Sequence, residues 1–157
     1  MRATYVHAAR AVENQGLLLP LAPDGSVPEL PEDLTEITDG ELMRLLASYT
    51  VWAEYGAAVV TRYAVDEEHL AASLEREKAT AALRHQHHKT VAAQKSAALC
   101  DPAVISLDEE YQGARARRKF AEVVMNGAER KAAVISRELT RRVGRHDREQ
   151  RTGRWNP

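Results

Sequence analysis

Between residues 107 and 143 the sequence carries a seven-residue repeat, and this repeat constrains the fold more than any other feature. Its positions step by four and three almost throughout, and Arg118 alone among them is charged. They are Leu107, Tyr111, Ala114, Arg118, Ala121, Met125, Ala128, Ala132, Ile135, Leu139 and Val143, here termed the heptad seam. A repeat this long predicts one helix that supercoils with a partner helix.

The partner is predicted in the first half of the chain. Thr38 and Glu41 have the spacing of a capping box, which predicts a helix start. An apolar stripe at helical spacing follows: Leu42, Leu45, Tyr49, Trp52, Gly56, Val59, Tyr63 and Leu70. Helix-forming residues then carry this helix to about residue 87. The two stripes predict an all-α protein whose core is a long antiparallel helical hairpin over residues 38 to 146. Because the seam is longer than one partner helix covers, we expect a homo-oligomer.

The flanking segments differ in composition from the hairpin. Residues 1 to 37 are expected to form an N-terminal arm, with a short helix ended by Gly16 and then a linker that contains four prolines. Residues 147 to 157 lose the apolar spacing and predict a basic, disordered tail, in which Trp155 is a candidate for stacking on a bound partner.

The connection between the long helices leaves two alternatives open. Residues 88 to 100 are compatible with a continuation of the first helix or with a short separate one. Asp101 followed by Pro102 marks the start of the second long helix, since Asp is a favourable N-cap and Pro suits the first helical position.

The composition bounds the compartment and the possible partners. One cysteine excludes an intrachain disulfide, and no apolar run approaches the roughly 18 residues that span a bilayer, so a cytoplasmic location is expected, in the host if the gene belongs to a phage. From Arg115 onward there are 13 Lys and Arg against 5 Asp and Glu, a balance of +8, which leaves −9 for the preceding residues of a chain with net charge −1. This segregation favours a polyanionic partner or contacts between copies.

The basic residues of the second helix follow a pattern of their own. Arg130, Arg137, Arg141, Arg145 and Arg148 fall on one stripe opposite the heptad seam, without interspersed acids. Arginine suits phosphate because its planar guanidinium binds two oxygens. Two interpretations remain open, a polyanion-binding face and a solvated face. The candidate nucleic-acid-binding residues are Lys119, Arg130, Lys131, Arg137, Arg141, Arg142, Arg145 and Arg148.

Other motifs give little support for catalysis or for a metal. His85, His87 and His88 are spaced by two and one, which on a continuous helix would point the rings apart, so no metal site is expected. No phosphate-binding glycine loop, HExxH or GxSxG motif is present. We therefore expect a protein without enzymatic activity and without a cofactor.

The order of features resembles a known family. The segments "YTVWAEY", "KTVAAQKSAALCDPAV" and "SRELTRR" follow one another over roughly residues 40 to 145 in a pattern that resembles the UvsY-type recombination mediators of tailed phages. The resemblance implies a helical ring-forming protein that binds single-stranded DNA and loads a RecA-like recombinase onto strands covered by single-strand-binding protein. Under the resemblance, Tyr49 and Trp52 correspond to a Tyr-Trp pair in the first helix of the family. The family's basic segment, which is implicated in DNA binding, is matched most nearly by Arg76 and Lys78, with Arg84 beyond.

The functional expectation follows from the stripe and the resemblance together. It is a single-stranded nucleic-acid-binding accessory protein of phage-type recombination or replication, with no membrane partner. The alternative is a helical structural or assembly protein, of phage virion or scaffold type, whose basic face contacts protein. A regulator of transcription or of host machinery is disfavoured because there is no helix-turn-helix signature.

Overall fold

The computed structural model describes residues 2–88 and 90–154, with side chains described for 6–88 and 90–151. Four helices follow one another: α1 (Arg2–Glu13), α2 (Asp39–Arg84), α3 (Val91–Leu99) and α4 (Pro102–Arg154). No strand occurs in the described ranges. The prediction of an all-α chain dominated by two long helices that pack together is confirmed.

The chain divides into two compact units, and both long helices contribute to each. Unit 1 comprises residues 1–19 and 58–122, and unit 2 comprises residues 20–57 and 123–157. Each unit has its own small core.

The core of unit 2 joins the first part of α2 to the second part of α4. Leu42, Tyr49 and Ile135 are completely buried and form one cluster. Close packing is possible because Gly56 lies against Met125: a Cβ placed on this glycine would stand only 3.0 Å from the Met125 Cβ. Asp39, at the start of α2, pairs with Arg142, and Gly56, further along α2, lies against Met125, which precedes Arg142 on α4. The two segments are therefore antiparallel within this unit.

The start of α2 is fixed by the predicted capping box. The Thr38 hydroxyl accepts a hydrogen bond from the Glu41 amide at 3.3 Å, while the Glu41 carboxylate accepts from the Thr38 amide at 3.1 Å and from its hydroxyl at 2.8 Å. These bonds satisfy amide groups that have no partner inside the helix. They also hold the pKa of Glu41 below its usual value.

The proline-rich segment before α2 is not a free arm along its whole length. The side chains of Val27, Leu30, Leu34 and Ile37 pack against the unit 2 core. We term residues 27–37 the strap. Its apolar residues face the helices, while Pro28 and Pro31 lack the amide hydrogens that a helix would need, and the backbone is non-helical.

Unit 1 is built around the helix connection. Leu74 and Ala81 on α2, Ala98 on α3 and Val104 on α4 form its core. Of the two alternatives for the connection, the structure has the short separate helix: the Thr90 hydroxyl accepts from the Ala93 amide at 3.2 Å and caps α3.

Asp101 caps α4 as predicted. Its side chain accepts from the Ala103 amide at 3.0 Å, and its carbonyl accepts from the Ile105 amide. Asp101 is 7% exposed, and it is the one charged residue among the buried residues of the described chain.

The heptad seam is covered from Leu107 to Leu139, where every position is buried or half-buried. Val143 departs from the prediction, because its side chain is 62% exposed. The reason is that α2 begins at Asp39, which pairs with Arg142, so α2 offers no further residue to cover Val143. Arg118 is accommodated in the seam because it is ion-paired with Glu67 and Glu122.

The C-terminal segment also differs from expectation. Helix α4 continues to Arg154, across residues assigned from the sequence to a disordered tail. Bonds across one helical turn support it: Arg148 donates to the Gly144 carbonyl at 3.0 Å, and the Gln150 side chain lies 2.8 Å from the His146 ring. Trp155 lies outside the described residues. No helix in the described ranges combines the length and the apolar character that crossing a membrane requires.

Candidate nucleic-acid interface

One face of α4 in unit 2 displays a row of arginines. All five predicted members are exposed: Arg130, Arg137, Arg141, Arg145 and Arg148, here termed the arginine face. They are exposed because the seam positions Ala128 and Ile135 are buried on the opposite side of the same helix. The packing of the seam thus determines which arginines meet solvent.

Most of the arginine face is held by its own helix. Arg130 donates to the Asn126 carbonyl at 3.2 Å, and Arg145 lies 3.8 Å from the Glu149 carboxylate. Arg137, in contrast, forms no hydrogen bond or ion pair with any described residue. Exposed pairs of this kind cost little to break, so these guanidinium groups can turn to an external phosphate.

Arg141 is the most firmly held member. Its guanidinium binds both oxygens of Glu138, each at 2.7 Å. The hydrogen bonds from Arg141, and then those from Arg142, lower the pKa of Glu138 to about 2. Glu138 and Glu149 therefore flank the arginine face, which the stripe drawn from the sequence did not reveal.

Two of the candidate residues serve the fold of unit 2. The Arg142 side chain is 14% exposed, and it donates to the carbonyls of Leu34 at 2.5 Å and Ile37 at 2.7 Å and to the carboxylate of Asp39 at 2.6 Å. It thereby ties the strap to α4. Its bonds to Glu138 and Asp39 raise its already high pKa.

Lys131 has a similar structural role. Its ammonium donates to the Pro28 carbonyl at 3.1 Å and lies 5.5 Å from the centre of the Tyr49 ring, within the range of a cation–π contact. The Tyr49 hydroxyl donates to the same carbonyl at 3.1 Å. The structure thus places Lys131 and Arg142 against the strap, apart from the arginine face. Lys119 is exposed and belongs to unit 1.

The residues implied by the family resemblance are also engaged within the chain. Tyr49 is completely buried, so it packs in the core, where burial raises the pKa of its hydroxyl. Trp52 is half-buried and meets Tyr55 edge to face.

The basic residues of this implied segment are paired along α2. Arg76 donates to the Ser73 hydroxyl at 3.0 Å, and Lys78 pairs with Glu75 at 2.8 Å. Arg84 pairs with Glu77 on the same helix. The contacts of Arg76 and Lys78 lie within one helix, like those of Arg130 and Arg145 on the arginine face.

A second cluster of functional groups follows α2. The sequence carried this helix to about residue 87, but it ends at Arg84, and His85, His87 and His88 lie in the turn beyond it. One ligand atom from each of the three side chains lies within 4.8 Å of the others. The expectation that the rings diverge rested on a continuous helix, and the turn removes that premise.

Comparison of the chain with protein-family models, with curated proteins and with solved structures finds no match.

Proposed function

We propose that the chain binds single-stranded nucleic acid through the arginine face of α4, as an accessory protein of phage-type recombination or replication. The observation that carries this proposal is the exposure of all five arginines on one side of one helix. Bidentate guanidinium groups suit backbone phosphates, which single strands present without regard to sequence.

The contribution of each residue differs. Arg137 is the principal phosphate ligand because it has no competing partner among the described residues. Arg130 and Arg145 exchange weak contacts within their own helix for the phosphate. Arg141 contributes less, since it must share its guanidinium with Glu138.

The narrower role of a mediator rests on the sequence resemblance to the UvsY-type proteins. In that role the protein would bind single-stranded DNA together with a RecA-like recombinase or a single-strand-binding protein. Self-association belongs to the same proposal: in unit 2, Val123 and Val124 are 63% and 57% exposed, and this apolar surface would be covered in a homo-oligomer.

The alternative, a structural or assembly protein, is supported by the charges of the strap. Glu29, Glu32 and Glu36 are exposed, while Arg142 already pairs with Asp39 inside the chain. The same attraction would let the arginine face of one copy bind the acidic strap of another.

One experiment separates the two functions. Fluorescence anisotropy with a labelled oligo-dT strand is measured over a range of salt concentrations, alongside light scattering. Nucleic-acid binding predicts saturable binding at low salt that weakens along a straight log–log line, with a slope of about −0.7 per phosphate neutralised. Oligomers that dissociate with salt, without any binding of the strand, would instead favour the assembly function.

A further inference from the structure

Three histidines, His85, His87 and His88, follow α2, and the proposed function gives them no role. The ring centres of His87 and His88 are 4.5 Å apart. The ring centre of His85 lies 6.1 Å from that of His87 and 6.0 Å from that of His88. One ligand atom from each side chain falls within 4.8 Å of the other two. Neutral imidazole is a favoured ligand of zinc, copper and nickel ions.

The turn is what makes this convergence possible. The His85 amide closes the last turn of α2 by donating to the Ala81 carbonyl, and the His88 amide then donates to the His85 carbonyl at 3.2 Å. The backbone between them leaves the helical path, so the side chains at 85, 87 and 88 are no longer distributed around a helix axis. Three ligands within four consecutive residues can therefore face one point.

A buried carboxylate lies beside the first of the three histidines. The Nε2 atom of His85 lies 3.4 Å from Asp101, which is held in place by its N-cap bond to the Ala103 amide. Metal-binding histidines commonly present one ring nitrogen to a carboxylate, which fixes the ring and leaves the other nitrogen for the metal. In a metal site with that arrangement, Nδ1 of His85 would be the coordinating atom.

The charges around the cluster and the exposure of two of its histidines fit a cation. Arg84 lies 3.5 Å from Asp101, but it also pairs with Glu77, so two carboxylates offset its charge. In a tetrahedral site with metal–nitrogen bonds of about 2.0–2.1 Å, the ligand nitrogens stand about 3.4 Å apart. His87 and His88 are exposed and can close the remaining distance by rotating about their side-chain bonds.

We propose that His85, His87 and His88 bind one divalent transition-metal ion of the zinc class, with Asp101 as the positioning residue of His85. Water would complete the tetrahedron. The ion would tie the turn after α2 to the start of α4 within unit 1.

The test uses the untagged full chain, so that no added histidines interfere. Titration calorimetry with Zn²⁺ should give saturable binding of one ion per chain. His85→Gln, His87→Gln and His88→Gln should each weaken binding by more than the roughly 10- to 100-fold that changes outside the ligand shell cost. The matched control His69→Gln alters an exposed histidine of the same unit and should leave the affinity unchanged.

Asp101→Ser separates positioning from capping, because serine is also a good N-cap. This variant should keep the helix content measured by circular dichroism, while Zn²⁺ binding falls by about 10- to 100-fold. Unchanged affinity in this variant would overturn the positioning role of Asp101.

A measurement on the unaltered protein guards against variants that fail to fold. Zn²⁺ should protect the three clustered histidines, but not His69, from diethyl pyrocarbonate modification detected by mass spectrometry. The metal site is overturned if the wild type shows no saturable Zn²⁺ binding, if His85→Gln binds like the wild type, or if protection is equal at all histidines.

Discussion

The close approach of α2 to α4 in unit 2 predicts both the sign and the size of the change in folding stability that Gly56→Ala causes. Gly56→Ala would place a Cβ 3.0 Å from the Met125 Cβ and 3.3 Å from its Cα, so part of the contact is with backbone that cannot rotate away. Replacing a glycine inside a helix gains up to about 1 kcal/mol from helix propensity. Overpacking in a tight contact costs about 1–3 kcal/mol. The net expectation is a loss of about 1 kcal/mol.

Gly127 provides the matched control. It lies in the helical interior of α4 in the same unit, and a Cβ there would meet nothing within 4 Å. Gly127→Ala should therefore stabilise the protein by about 0.5–1 kcal/mol from propensity alone. The two identical substitutions should thus move stability in opposite directions.

The assay is urea unfolding followed by circular dichroism at one protein concentration, because self-association would make the midpoint concentration-dependent. A lower midpoint for Gly56→Ala and a higher one for Gly127→Ala support the described packing. If Gly56→Ala stabilised the protein as much as Gly127→Ala, the close contact with Met125 would be refuted.

Three further predictions concern the core, the strap and pH. Ile135→Ala should lower the free energy of unfolding in urea titrations by about 2–5 kcal/mol because its side chain is fully buried, whereas Val143→Ala should lower it far less. Similar losses in the two variants would contradict the finding that the heptad seam is covered only as far as Leu139. Arg142→Gln should speed proteolysis within residues 20–38, since it removes the bonds that hold the strap, and an unchanged cleavage rate would argue against that role. Because its ion pairs lower the pKa of Glu138 from 4.5 to about 2, the contribution of Glu138 to folding stability is complete above pH 4.5 and is lost as pH falls toward 2. Glu138→Gln should therefore make the free energy of unfolding depend less on pH between 2 and 4.5, and a dependence as steep as that of the wild type would count against the pairing with Arg141 and Arg142.

The elements with a local chemical signal were predictable from the sequence. The capping box at Thr38 and the Asp101 N-cap depend on residues within three positions of one another, and both are present. The heptad seam was equally readable from Leu107 to Leu139, because its period is a property of one helix.

The contacts that the sequence did not predict join residues that are far apart in the chain. Arg142 bonds to carbonyls more than 100 positions away, so nothing local distinguishes it from Arg141. The role of Lys131 likewise requires Pro28 and Tyr49. The sequence named the three histidines but did not predict that their rings converge, because a helix end displaced by about three residues changes where the rings point.

The most direct test of the central claim compares salt dependence between matched variants. Oligo-dT binding is measured by anisotropy for the wild type, for Arg130→Gln/Arg137→Gln/Arg145→Gln, and for the control Lys95→Gln/Arg115→Gln/Arg117→Gln, whose exposed residues lie in unit 1. Three lost phosphate contacts should make the log–log slope shallower by about 2, at about 0.7 per contact, while the control keeps the slope of the wild type. Equal slopes in the triple variant and the wild type would contradict binding through the arginine face.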